Sequence, residues 1–180
     1  LGLLYAPVVV KLQTGKLAET LRLAQRMIDL ADGDPSKGNL ILGSPLAAAI
    51  VLRGCARCGL GDPGWRRDID DAATMVRAFD ATMRALILFF KYFNTIPSGL
   101  LLPDAAALQE TAELLEISER SGDDFTLTCA RCVHGLSLMV HDGPQSEAGL
   151  ALLATAREAA LQERFTLPAA SVIDTVFAKE

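Results

Sequence analysis

Apolar residues recur along this chain at helical spacing, and Gly, Asp and Pro punctuate them. Leu17, Leu21, Ala24, Ile28 and Ala31 share one face of a helix predicted over 17–31. A shorter helix over 3–13, with Pro7 inside it, precedes the Thr14-Gly15-Lys16 turn. Ser44-Pro45 reads as an N-cap followed by Pro at the first helical position, opening a helix to about residue 60. Gly61-Asp62-Pro63-Gly64 then marks the sharpest turn, and helices over 66–79 and 81–95 follow. Pro103-Asp104 opens a helix to residue 121, and Asp123-Asp124 opens another to residue 141. A helix over 145–164 and a last one from Pro168 complete the pattern. The expectation is about nine helices and no strand.

One unit repeats: an apolar helix, a Gly-Asp turn, and a second amphipathic helix. The small residue Gly54 is followed by Gly61-Asp62, and Gly135 by Asp142-Gly143 at similar spacing. Gly15-Lys16 fits the same turn, with Ala24 at a later small position, and Ala151 and Ala154 stand at the matching positions of a third copy. First helices begin near residues 45, 81, 124 and 168, a period of roughly forty against about 34 for an ideal tetratricopeptide repeat. Such pairs bury their apolar faces only by stacking on neighbours. The spacing resembles tetratricopeptide repeats, which implies an all-α solenoid of stacked antiparallel helix pairs. Trp65-Arg66-Arg67 departs from it as a small insertion, and the pair over 81–121 matches poorly.

Several phrases carry a narrower resemblance. They are Leu23-Ala24-Gln25-Arg26-Met27-Ile28-Asp29-Leu30-Ala31-Asp32-Gly33-Asp34-Pro35, Lys37-Gly38-Asn39, Leu60-Gly61-Asp62-Pro63-Gly64-Trp65 and Arg120-Ser121-Gly122-Asp123-Asp124-Phe125. They resemble the helical-repeat region of large mycobacterial regulators, where such an array accompanies a signalling ATPase module and either an adenylate/guanylate cyclase or a LuxR-type DNA-binding domain. The resemblance implies a segment, residues 1–180, of a larger cytoplasmic signalling protein. It brings no catalytic residue, and no Gly-x-x-x-x-Gly-Lys-Ser/Thr loop occurs.

Composition narrows the function classes. With 51% hydrophobic and 22% charged residues, the chain is not of the disordered class. Its net charge of −5 and scattered basic residues argue against a nucleic-acid surface. No apolar stretch has the length of a membrane span, since the run over 40–52 is short and broken by Gly43, Ser44 and Pro45.

Three motifs suggest chemistry, and each has a plainer reading. Cys55-Ala56-Arg57-Cys58 and Cys129-Ala130-Arg131-Cys132 form two C-x-x-C pairs, but both lie inside helices rather than on the turns that zinc ribbons use. Stacked helices about 8–10 Å apart would hold the pairs too far from each other to share a metal, so the thiols are expected to pack as small apolar residues. Asp68-Ile69-Asp70-Asp71 spells D-x-D-D, read here as a solvated helix start where acids meet the positive end of the helix dipole. His134 and His141 lack ligand or nucleophile partners at useful spacing, so no catalytic residue, metal or cofactor is expected.

The remaining feature is Phe89-Phe90-Lys91-Tyr92-Phe93, which holds four of the ten aromatics. A helix cannot turn all of these rings inward at once. Phe89, Phe90, Lys91, Tyr92, Phe93 and Asn94 are therefore the candidate interaction surface for a protein or peptide partner, or for neighbouring domains of the same chain. The alternative is a small-ligand sensor with a pocket near the aromatic helix over 86–96.

Overall fold

The computed structural model describes residues 2–39, 43–140, 144–163 and 167–178. Among them are nine α-helices, one short 3-10 turn and no strand. The helices are α1 (Gly2–Gln13), α2 (Leu17–Ala31), α3 (Pro45–Leu60), α4 (Trp65–Met75), α5 (Ala81–Thr95), α6 (Ala105–Ser121), α7 (Asp124–Met139), α8 (Pro144–Glu163) and α9 (Leu167–Phe177). The 3-10 turn, Val76–Ala78, tightens the end of α4, where the sequence predicted a helix running on to residue 79.

The helix ends follow from local chemistry. Ser44, Asp104 and Asp123 each stand in extended backbone, and their side chains accept the backbone N–H three residues on, at Ala47, Ala107 and Thr126. Those bonds satisfy donors that the helix itself leaves unpaired. Gly61 and Gly122 close α3 and α6 in the left-handed region, which a Cβ would disfavour. Asp62 then accepts from the Gly64 N–H at 2.8 Å, holding the turn into α4.

Contacts cluster into two compact units, residues 1–91 and 92–180, with α5 running through the boundary. In the first unit α3 is central, meeting α1, α2 and α4. Its Leu46, Ala47, Ala48, Ala49, Val51, Leu52, Gly54, Cys55 and Ala56 are all buried. In the second unit α7 packs on α6 and α8, and α8 on α9. On α7 the buried set is Thr126, Thr128, Cys129, Ala130, Cys132, Val133, Gly135, Leu136 and Ser137.

Both central helices carry a glycine where a neighbour comes close. A Cβ on Gly54 would lie 2.8 Å from Ile69 Cγ1 and 3.1 Å from Asp68 Cβ on α4. A Cβ on Gly135 would lie 2.9 Å from Leu153 Cγ and 3.0 Å from the Gly149 carbonyl on α8. These are the small positions of the predicted repeat, and both serve close crossing within a helix pair. Ala24 is likewise fully buried. Ala151 and Ala154 are exposed instead, because Gly149, Leu153, Ala156 and Ala160 form the buried face of α8. The turn expected at Asp142-Gly143 lies outside the described residues.

Trp65-Arg66-Arg67, which departs from the repeat spacing, forms the first turn of α4. Trp65 is buried, and the Arg66 guanidinium lies 4.4 Å from the centre of its ring, a cation–π contact.

Candidate interaction site

The aromatic segment sits on α5, whose buried positions form two stripes. Met83, Ala85, Ile87, Leu88, Phe90, Tyr92 and Ile96 are buried, and so is Thr95. The spacing 83-87-90 defines one stripe and 85-88-92-95 the other. Phe90 and Tyr92 are therefore core residues, at 7% and 1% exposure, rather than parts of an open surface. Phe89, Lys91, Phe93 and Asn94 are half-buried.

Specific contacts fix the two buried rings. The Cys55 thiol donates to the Phe90 carbonyl at 3.7 Å, and the Phe89 and Phe90 rings meet edge to face at 5.9 Å. The Tyr92 hydroxyl donates to Glu110 Oε2 on α6 at 2.5 Å, which supplies the partner a buried phenol requires.

The cysteines fill core. Cys55, Cys129 and Cys132 are buried and Cys58 is half-buried, all as free thiols. Burial pushes the Cys55 and Cys129 thiols far above the ordinary range and Cys132 up to about 12. Cys58 is raised by its partial burial, against which the Arg66 charge works. Thiols held protonated are poor nucleophiles and poor ligands. Among the described residues no three His, Cys, Asp or Glu side chains converge as a metal site would require.

The D-x-D-D segment differs from its expected solvated role in one residue. Asp70 and Asp71 are exposed, but Asp68 is buried at 3% exposure. Its Oδ2 accepts from Arg53 Nε and Arg57 Nη1, each at 2.8 Å, and its Oδ1 accepts from Arg53 Nη2 at 2.6 Å. Arg53 Nη1 reaches Gln25 Oε1 at 2.7 Å, and Gln25 donates to Asp29 at 2.8 Å. One carboxylate thus joins α2, α3 and α4. Arg57 Nε, 3.5 Å from Asp62 Oδ2, forms an ion pair without hydrogen-bond alignment.

The sequence carries hints of this cluster: Arg53 and Arg57 stand one turn apart on the helix face that Gly54 opens to α4. Its geometry is that of a fastener: both carboxylate oxygens of Asp68 accept from guanidinium groups on α3.

His134 on α7 is half-buried, with Nδ1 3.0 Å from Thr111 Oγ1, and burial lowers its pKa. The Thr111 hydroxyl also lies 3.0 Å from the Ala107 carbonyl, so this pair ties α6 to α7. His141 lies outside the described residues.

Open grooves lie on the surface of the described residues. One of about 300 Å³ lies at the α1–α2 turn, against Gly15, Lys16, Leu17 and Leu60. A larger one of about 600 Å³ lies between α8 and α9, walled by Ala154, Leu161 and Phe177 and crossed by the Arg157–Asp174 ion pair at 2.5 Å. No helix among the described residues is long and apolar enough to cross a membrane. No family model, no curated protein and no solved structure matches the chain.

Proposed function

We propose that this chain is a tetratricopeptide-like helical-repeat module of a mycobacterial multidomain signalling protein, a cyclase or a LuxR-type regulator. In this reading it is cytoplasmic, carries no catalytic residue or cofactor of its own, and binds a protein or peptide partner or its neighbouring domains. The observation that supports the repeat reading is the glycine-mediated crossing that recurs in two helix pairs, at Gly54 on α3 and Gly135 on α7. The loop phrases around Leu60–Trp65 and Arg120–Phe125 support the regulator reading through their resemblance to that family.

Recognition would fall to the half-buried members of the aromatic segment: Phe89, Lys91, Phe93 and Asn94. Phe90 and Tyr92 would hold that surface from beneath. A module of this kind works by contacting its output domain differently in the active and inactive states, a coupling of about 1–3 kcal/mol in typical cases.

The test compares the output activity of the parent protein with and without this segment, and with Lys91→Glu combined with Asn94→Arg. The expected result is an altered response in both, about five-fold or more, with circular dichroism checking that the double variant folds. An output indifferent to loss of the whole segment overturns the proposal.

A further inference from the structure

Among the described residues, only one residue other than glycine has a positive φ, and it stands in the turn that ends α2. Asp32 lies at φ 54° and ψ 41°, in the left-handed region that aspartate enters at a steric cost glycine does not meet. Gly33 follows at φ 76°. Together they close the helix as a left-handed cap. The Asp32 N–H donates to the Ile28 carbonyl at 3.2 Å, and the Asp34 N–H donates to the Ala31 carbonyl at 3.1 Å. Between these two bonds, the Gly33 N–H donates to no described residue.

Both residues are exposed, and a Cβ built on Gly33 would meet nothing within 4 Å. The Asp32 carboxyl has no hydrogen-bond or ion-pair partner among the described residues. A free carboxyl is thus followed directly by an unhindered, unbonded amide nitrogen. These are the two groups that close a succinimide ring, built from Cα, Cβ, Cγ and the carbonyl carbon of Asp32 with the nitrogen of Gly33. Neighbouring aspartates lack one group or the other. Asp29 accepts from Gln25 at 2.8 Å, and the next N–H lies inside α2. Asp34 accepts from the Ser36 N–H at 2.8 Å and the Ser36 hydroxyl at 2.7 Å, and Pro35 after it has no N–H to offer. Asp142-Gly143 lies outside the described residues.

We propose that Asp32 is a modification site of the folded chain, where aspartate rearranges to isoaspartate without an enzyme. With the carboxyl in its acid form, the Gly33 nitrogen bonds to Asp32 Cγ, and the amide proton leaves with the carboxyl hydroxyl as water. A second water then opens the ring. Cleavage at Cγ restores aspartate. Cleavage at the former backbone carbonyl leaves that carbon as a free carboxylate and runs the main chain through Cβ and Cγ. Ring closure requires rotation about the Asp32 Cα–C bond, and Gly33 absorbs it because it takes either sign of φ. The rotation releases the Asp34–Ala31 bond at a helix end, where local opening is least costly. The product inserts a methylene into the backbone of the cap. This inference goes beyond the regulatory reading and does not rest on it; an inert Asp32 would leave that reading untouched.

The test is prolonged incubation of the full chain at neutral pH, beside a synthetic peptide of residues 27–37 and the full-length Asp32→Asn variant. Far-UV circular dichroism checks that both chains stay folded. Trypsin cuts after Arg26 and Lys37, so it releases the same peptide from the chain, with Asp29 and Asp34 as comparisons within it. The expected result is a transient form of this peptide lighter by one water, then a second peptide of unchanged mass and shifted retention. Electron-transfer fragmentation should place the isoaspartate at position 32. The Asp32→Asn variant should reach the same product faster, losing ammonia instead of water. A folded chain that keeps only aspartate at position 32 while the free peptide rearranges would overturn the proposal, because the cap would then lock the site. Equal isoaspartate at position 29, or a folded Asp32→Asn variant that loses no ammonia there, would overturn it as well.

Discussion

Asp68 shows how one side chain's role depends on residues distant in sequence. Its local setting, an acid in the first turn of α4, is shared by no special pattern, and Asp70 and Asp71 beside it are solvated. What distinguishes it is position against α3: Arg53 and Arg57 are fifteen and eleven residues away, and both reach it. Removing the charge leaves two guanidiniums facing a neutral amide. Breaking a fully buried pair costs about 3–5 kcal/mol. Arg53 and Arg57 keep 18% and 27% side-chain exposure, so water offsets part of this. Asp68→Asn is therefore expected to lower unfolding free energy by about 2–3 kcal/mol, and Asp70→Asn by less than about 0.5 kcal/mol. Urea denaturation of the two variants checks this, and equal losses would dissolve the distinction. The D-x-D-D motif could not announce Asp68, because dipole logic treats all three acids alike. Phe90 and Tyr92 were hidden from sequence reasoning in a similar way. A dense aromatic run says that some rings are buried, but only the second buried stripe on α5 tells which ones.

At the scale of elements, much more was legible. The bounds of α2 and α5 agree with the periodicity, and the others move by only a few residues. The reason is that caps and stops are local: Ser44, Asp104 and Asp123 bond three residues on, and Gly61 and Gly122 need no distant partner. Pairing between helices was legible only where a glycine had a packing purpose. Gly54 and Gly135 announce close crossings, while Gly149 gave no sequence sign of meeting Gly135. Three substitutions separate these purposes. In Gly149→Ala the new Cβ would lie 2.8 Å from the Gly135 carbonyl, which is backbone and cannot rotate aside. That strain, about 1–3 kcal/mol, outweighs the gain of about 1 kcal/mol from alanine's helix propensity. In Gly54→Ala the 2.8 Å clash is with an Ile69 side chain held at 2% exposure, so a net loss is again expected, though smaller. In Gly59→Ala the close atom is the end of half-buried Leu17, which can swing away, so propensity wins and stability rises. Thermal melts should rank the variants Gly59→Ala above the unaltered chain, then Gly54→Ala, then Gly149→Ala. The reverse order for Gly59 and Gly149 would mean that the crossings are looser than their geometry.

At the scale of the whole molecule, packing is concentrated around two helices, α3 and α7. Within the stretch that sequence spacing reads as one stacked domain, contacts gather around α3 in residues 1–91 and around α7 in residues 92–180. Stability in repeat proteins is a sum of local terms and nearest-neighbour contacts, so separately cored units open separately unless their coupling exceeds their own stability. Hydrogen exchange under mild urea reads this directly. Amides of α3 and α7 are expected to be the slowest of their respective units, since these helices have the longest runs of buried residues. The two sets should show different opening free energies and different urea dependence. Amides of α5 discriminate further: those before Lys91 should open with α3, and those after Tyr92 with α7, despite lying on one continuous helix. A single opening energy shared by α3, α5 and α7 would show instead that the helix couples both cores into one cooperative domain. In that case the array predicted from sequence would be the right thermodynamic unit, and the two contact clusters merely its two regions of dense packing.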